Sequence, residues 1–333
     1  MQAWSSFSAC RDFRRVLKMK PVIPFVPEAT SHERDMWQEE LGRTLAPYAT
    51  VKPFEKLTDD ERQTATVAIV ANPDPADVAA LPNLVWVQSL WAGVERLTAE
   101  LPRDGPLIVR LADPQMADTM SEAVLAWTLY VHRDMPRYMH QQRDKVWQEQ
   151  LLKTPQERTV GVLGLGKLGS ASAQRLSANG FRVLGWSRSE KTRDGIICFH
   201  GKEGLFNLLG QSDIVVVLVP LTSETRGMLS SEELNGCKRG AAIINFARGP
   251  ILDVDALMAA LDRGHLSHAV LDVFDEEPLT PESPLWQHDK VTVLPHISAP
   301  TITGAASMIV ARNIQAYLES GRVPQHIDRM QGY

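Results

Sequence analysis

The sequence predicts an α/β protein of two domains, one of them built on a doubly wound parallel sheet. Short apolar runs alternate with helix-like stretches along most of the chain, the order that parallel strands joined by crossover helices require. From Thr159 onward those runs are filled with Val, Ile and Leu without polar alternation, as strands covered on both faces must be. The length, 333 residues, exceeds one compact core and suits two domains of ~100 to 200 residues with a cleft between them.

The elements follow in order. Lys20 to Arg110 reads as a small α/β domain: a strand over Val22 to Val26, a helix over Ser31 to Leu45 with Ser31 as candidate N-cap, and strands over Thr66 to Ala71, Leu84 to Ser89 and Leu107 to Leu111. Asp113 to Trp147 reads as one long, mostly helical stretch connecting the domains, which Pro136 should kink or break. Strands are then expected over Thr159 to Leu163, Arg182 to Trp186, Asp213 to Val219, Ala241 to Phe246, Ala269 to Phe274 and Val291 to Leu294, with helices over Lys167 to Asn179 and Asp253 to Asp262. A last apolar-periodic helix, about Thr303 to Glu319, stops at Gly321.

Composition excludes several functions. A net charge of -5, with no block of like charge, gives no attraction to nucleic acid. The longest apolar stretch, Ile214 to Leu221, is far short of the ~20 residues that span a bilayer, so no membrane partner is expected. Cys10, Cys198 and Cys237 share no metal or redox spacing, so the chain reads as metal-free, reduced and cytoplasmic. Met1 to Lys18 carries Arg11, Arg14 and Arg15 but no apolar core or small-residue cleavage site; it is read as a tail or the product of an upstream start codon, with a transit peptide as the alternative.

The glycine-rich turn Gly164-Leu-Gly166-Lys167-Leu168-Gly169 follows an apolar strand and opens a helix, the setting in which such a turn binds a dinucleotide. The first glycine makes the turn, the second admits a pyrophosphate to the backbone, and the third lets helix pack on strand. Helix amides then face the phosphates. The acid usually found roughly twenty residues later, where it binds a ribose diol, is missing. In its place stand Ser187, Arg188, Ser189 and Lys191, a set suited to a 2′-phosphate, so NADPH is expected over NADH, with NAD still usable.

Arg248, Glu277 and His296 each lie just past an apolar run. Parallel strands end on one edge of their sheet, so the three can meet beside a nucleotide held by the glycine turn. Together they offer what hydride transfer to a 2-keto acid needs: a planar cation for the carboxylate-carbonyl unit in Arg248, a general acid in His296, and in Glu277 a carboxylate that orients the imidazole and favours its protonated form. Each alone has a plain explanation as a turn, loop or core residue; jointly they point to a dehydrogenase.

From Lys20 to Tyr333 the chain resembles the D-isomer-specific 2-hydroxyacid dehydrogenases, most closely their glyoxylate/hydroxypyruvate reductase A group. The resemblance rests on Trp91-Ala-Gly-Val-Glu95, Val162 to Gly169, Trp186-Ser-Arg188, Asn245-Phe-Ala-Arg-Gly249, Leu271-Asp272-Val-Phe, Glu277-Pro-Leu, Ser283-Pro-Leu-Trp286-Gln-His, Pro295-His296, Asp328-Arg329 and Gly332-Tyr333. It places Arg248, Glu277 and His296 in the roles just deduced. It further implies that the turn Trp91, Ala92, Gly93 and Val94 holds the substrate carboxylate, that Asp272 contacts the nicotinamide carboxamide, and that Pro220, Ala247 and Ser298 line the dinucleotide. The implied activity is NADPH-dependent reduction of glyoxylate to glycolate and of hydroxypyruvate to D-glycerate.

The implied fold is a pair of Rossmann-like domains: an NADP-binding domain over residues 113–298, inserted in a flavodoxin-like substrate domain over 19–112 and 299–333, with 1–18 as an extension. A homodimer paired through Asp113 to Trp147 is implied too, with Trp147 either in the dimer core or reaching the neighbouring active site. Trp91 is read equally as narrowing the pocket or as packing, and Trp286 as packing. Two other readings stay open. One is a different D-2-hydroxyacid dehydrogenase such as phosphoglycerate dehydrogenase, which the missing ribose acid disfavours. The other is a dinucleotide-sensing, corepressor-like protein without activity.

Overall fold

The computed structural model describes residues 20–28 and 31–328. The expected extension over 1–18, the Ser31 side chain as a cap, and the closing Arg329, Gly332 and Tyr333 lie outside the described residues. The chain forms two compact units, residues 20–112 with 303–328, and residues 113–302.

The first unit is a five-stranded parallel sheet of β1 (Val22–Pro27), β2 (Thr50–Pro53), β3 (Val67–Ala71), β4 (Trp86–Ser89) and β5 (Leu107–Val109), ordered β2-β1-β3-β4-β5, the flavodoxin-like sequence. Alternate residues of β3 serve its two faces. Val67, Ile69 and Ala71 join the core under helices Ser31–Leu45 and Thr303–Ser320, with Trp37, Leu41, Val310 and Ile314. Ala68 and Val70 join the opposite core, with Val78, Leu81, Leu97 and Leu101. The C-terminal helix therefore completes a domain whose strands come from the other end of the chain.

The second unit is a seven-stranded parallel sheet of β6 (Thr159–Leu163), β7 (Arg182–Ser187), β8 (Ile197–His200), β9 (Ile214–Val217), β10 (Ala241–Asn245), β11 (Leu266–Leu271) and β12 (Val291–Val293). Its order, β12-β11-β10-β9-β6-β7-β8, reverses between β6 and β9. That switch point opens a crevice beyond the strand ends, where a doubly wound sheet binds its ligand. Helices Gln115–His132 and Lys167–Ala178 cover one face through Met120, Val124, Ala173 and Leu176; helices Gly201–Gln211 and Val254–Asp262 cover the other through Leu205, Leu208, Leu257 and Leu261. The predicted doubly wound sheet is the observed one, and along the sequence its unit lies between the two stretches that make the flavodoxin-like unit. Among the described residues no helix is long and apolar enough to cross a membrane.

Four local expectations are corrected. The stretch from Asp113 to Trp147 is two helices, Gln115–His132 and Met135–Arg143, and no helix continues past Arg143. The break falls at Asp134, whose φ of 54° no helix tolerates, while Pro136 sits in the first turn of the second helix, where its missing N–H costs nothing. The strand expected over Ala269 to Phe274 starts at Leu266, immediately after the turn at Gly264, and its polar Ser267 and His268 hide that start from a hydrophobic pattern. Asp272 to Phe274 thus lies beyond the sheet, in a loop. Strands β2 and β8 were not expected: Lys52 and Pro53 interrupt the one, and the other is a half-exposed edge.

Candidate active site

Leu163 ends β6 and the chain turns at Gly164, φ +102°, where a Cβ would come within 2.7 Å of the Leu218 carbonyl oxygen. Gly166 caps the helix Lys167–Ala178 without any side chain, and a Cβ there would meet nothing within 4 Å. A Cβ on Gly169 would lie 1.7 Å from the Gly164 carbonyl oxygen. The three glycines thus serve three ends: close passage beside β9, an open approach to the first helix amides of Lys167, Leu168 and Gly169, and contact of helix with strand.

At the end of β7 the buried Ser187 hydroxyl donates to the Ser189 carbonyl at 2.7 Å, and beyond it the Lys191 ammonium donates to the Leu165 carbonyl at 3.1 Å, against the glycine turn. Arg188 is exposed, with its guanidinium 2.9 Å from Glu224. Local sequence reasoning missed Glu224: it comes from the loop after β9, beyond Pro220, and only the fold brings a carboxylate beside Arg188.

At the end of β10 Asn245 is 1% exposed and acts as a latch. Its Nδ2 donates to the Arg248 carbonyl and its Oδ1 accepts from the Ala247 amide, both at 3.1 Å. The Arg248 guanidinium donates to the Ala247 carbonyl at 2.6 Å, which tucks the half-buried side chain over its own turn. Gly249 is required by crowding: a Cβ would sit 2.0 Å from the Phe274 carbonyl carbon, so the turn after β10 lies on the loop after β11. Asn245 was visible only as the start of Asn-Phe-Ala-Arg; nothing in its spacing revealed the latch.

The loops after β11 and β12 bring Glu277 and His296 together. His296 Nδ1 is 2.7 Å from Glu277 Oε2, while Glu277 Oε1 accepts from the Phe274 amide at 2.9 Å. Since an ionised carboxylate only accepts, Nδ1 carries the proton, and Nε2 is left to exchange one with a ligand. The hydrogen bond to Glu277, opposed by burial, raises the His296 pKa above the usual imidazole value. For Glu277 burial pushes upward, but the hydrogen bonds from His296 and Phe274 prevail and hold the carboxyl below its usual range. His296 has φ 54°, a conformation that costs a non-glycine residue of order 1–3 kcal/mol. Asp272, 2% exposed, accepts from Ile297 at 2.7 Å and from Ser298 at 2.9 Å.

All the candidate residues from Gly164 to Ser298 thus collect at the carboxyl edge of one sheet. Trp91 to Val94 follow β4 at the carboxyl edge of the other. Among the described residues none accepts a hydrogen bond from the amides of Ala92, Gly93 or Val94. Trp91 is half-buried against the core, edge-on to Trp37 with ring centroids 5.9 Å apart. Trp286 is half-exposed and donates to the Thr280 carbonyl at 2.9 Å.

A family model for the NAD-binding domain of D-isomer specific 2-hydroxyacid dehydrogenases matches residues 125–298. Along 94% of this chain and 100% of its own, a D-isomer specific 2-hydroxyacid dehydrogenase from Xanthobacter autotrophicus Py2, crystallised with NADPH and MES, is 39% identical with a TM-score of 0.84. This chain belongs to that family. The dehydrogenase is also similar to an NADPH-dependent glyoxylate/hydroxypyruvate reductase from Sinorhizobium meliloti, crystallised with NADP and sulfate: 30% identity, TM-score 0.85, 94% of this chain and 100% of that one. A probable 2-hydroxyacid dehydrogenase from Rhizobium etli, in complex with NADP, HEPES and L(+)-tartaric acid, shares 32% identity over 95% and 100% of the two chains, with a TM-score of 0.83.

The residues present fit a dinucleotide. Gly166 leaves a cradle that a Cβ would fill, the first helix amides beyond it have no side-chain cap, and the buried Ser298 hydroxyl finds no partner among the described residues. Among the described residues no group of His, Cys, Asp and Glu could hold a metal ion.

Proposed function

We propose that this dehydrogenase reduces small 2-keto acids to D-2-hydroxy acids with NADPH, glyoxylate to glycolate and hydroxypyruvate to D-glycerate. The observation that carries the reading is the His296–Glu277 pair, 2.7 Å apart at the sheet edge that also carries the glycine turn. The similarity to the Sinorhizobium meliloti reductase, and Arg188 where a ribose acid is usual, support the substrates and the cofactor.

In this reading the helix amides from Gly166 to Gly169 hold the pyrophosphate, and Ser187, Arg188, Ser189 and Lys191 take the 2′-phosphate. Pro220, Ala247, Asp272 and Ser298 line the remainder of the dinucleotide. When bound, it supplies hydride from nicotinamide C4 to the keto carbon. Arg248 binds the carboxylate and polarises the keto oxygen. His296 gives its Nε2 proton to the oxygen as the alkoxide forms; Glu277 stabilises the imidazolium beforehand, and solvent restores the proton. One proton is consumed per turnover.

Residues 135–152 suggest a homodimer. Met139, Val146, Trp147, Leu151 and Leu152 are all exposed, Trp147 to 99% and Leu151 to 94%. An apolar group of this kind marks a surface that a partner covers.

The test is a steady-state comparison of glyoxylate, hydroxypyruvate, pyruvate and phenylpyruvate with NADPH and NADH. Glyoxylate and hydroxypyruvate with NADPH should lead, and His296→Ala should abolish turnover while leaving NADPH binding intact. Tight NADPH binding without turnover of any of the four would favour the dinucleotide-sensor reading instead.

A further inference from the structure

Three consecutive amides of the His296 loop end on one residue. The His296 amide donates to the Asp272 carbonyl at 3.0 Å, the Ile297 amide to Asp272 Oδ1 at 2.7 Å and the Ser298 amide to Asp272 Oδ2 at 2.9 Å. Both carboxylate oxygens of a buried residue are thus engaged by backbone, and among the described residues Asp272 alone holds the loop in this way. The left-handed φ of His296 is what makes this possible, because a left-handed residue turns the peptides that follow so that successive N–H groups converge on an anion.

The same segment fixes the other half of the acid pair. Two residues on from Asp272, the Phe274 amide donates to Glu277 Oε1 at 2.9 Å. Asp272 to Phe274 is therefore a common template: one end sets the backbone of His296, the other sets the carboxylate that receives its Nδ1 proton.

We propose that Asp272 is a positioning residue for proton transfer, its carboxylate holding the His296 backbone in the left-handed conformation that aims the imidazole at Glu277. Without that carboxylate the Ile297 and Ser298 amides lose their acceptors and only the His296 amide stays on the Asp272 carbonyl, so His296 relaxes toward an ordinary φ and its side chain swings off Glu277. This differs from a role confined to the nicotinamide carboxamide, which would leave the imidazole untouched. It rests on the reading of His296 as the acid.

The experiment compares Asp272→Asn, which keeps the size and one acceptor, with Asp272→Ala in the full-length protein. Three quantities are measured: titration of the His296 imidazole by NMR, the dissociation constant for NADPH, and the pH dependence of kcat and kcat/KM. In both variants the His296 pKa should fall toward its ordinary value. The kcat should drop roughly tenfold or more, as expected when a positioned acid is partly lost. Because Asp272 also lines the dinucleotide in the proposed reading, the NADPH dissociation constant should rise, but by less than kcat falls and by under about tenfold, ~1.4 kcal/mol. NADPH binding weakened tenfold with an unchanged His296 titration would make Asp272 a cofactor ligand instead, and no change in either quantity would make it structural only; both overturn the proposal. The titration and the NADPH binding need no turnover, so they stand apart from a failure of the general-acid reading, which His296→Ala tests.

Discussion

His296 Nδ1 and Glu277 Oε2 lie 2.7 Å apart, nineteen residues removed in sequence. The raised pKa of His296 keeps the imidazolium present above the pH at which a free imidazole loses its proton. Reduction of a keto acid uses the protonated form, so kcat/KM should be flat at low pH and fall as pH rises through this elevated value. Glu277→Gln removes the charge that stabilises the imidazolium, so the fall should begin at lower pH, with kcat reduced by ~10² as for loss of an effective general acid. Oxidation of the hydroxy acid uses neutral His296 and should show the opposite limb, rising with pH. A pH profile in both directions checks the sign.

Arg188 and Glu224, both exposed, form an ion pair at 2.9 Å. If Arg188 receives the 2′-phosphate, Arg188→Asp should weaken NADPH by ~10- to 100-fold, the ~1.5–3 kcal/mol of a charged hydrogen bond, and leave NADH nearly unaffected. Glu224 competes for the same guanidinium. Glu224→Gln should therefore tighten NADPH, by less than about fivefold, because an exposed pair is worth ~0.2–1 kcal/mol. Weaker NADPH binding in Glu224→Gln would mean that the carboxylate presents Arg188 to the phosphate. Fluorescence titration with each cofactor distinguishes the two.

Gly169 tolerates no side chain, since its Cβ would lie 1.7 Å from the Gly164 carbonyl oxygen. Gly169→Ala should lift the helix Lys167–Ala178 off the turn, at an overpacking cost of ~1–3 kcal/mol. The phosphate amides move with the helix, so NADPH affinity should suffer more than thermal stability. Gly166→Ala meets no protein atom and should leave stability unchanged while still obstructing the dinucleotide.

Much of this was legible in sequence because strands buried on both faces need continuous apolar runs. β6, β9 and β10 were readable for that reason, and with them the loops carrying Gly164 to Gly169 and Arg248. β2 and β8 were not, because edge strands carry polar residues and owe their state to a neighbour. Arg248, Glu277 and His296 stood out because each follows a strand and carries distinctive chemistry. Asn245 and Asp272 did not show their part: their contacts run to backbone amides and carbonyls, which bear no sequence signature. Glu224 meets Arg188 only through the adjacency of loops in the folded sheet.

The exposed apolar group around Trp147 gives a last prediction. Trp147 is 99% exposed, yet its ring offers an area that aromatic residues usually bury, and Leu151 and Leu152 lie beside it in sequence on a segment without regular structure. A single chain gains nothing by presenting them, whereas a second copy would remove them from water at ~25 cal/mol per Å² of apolar surface. Trp147→Ser combined with Leu151→Ser should shift the protein toward monomer in sedimentation velocity, at micromolar concentration, without unfolding the core of either unit. If Trp147 also reaches the partner's active site, KM for the keto acid should rise even at concentrations where the variant remains dimeric. An unaltered sedimentation coefficient in the double variant would remove this segment from the interface.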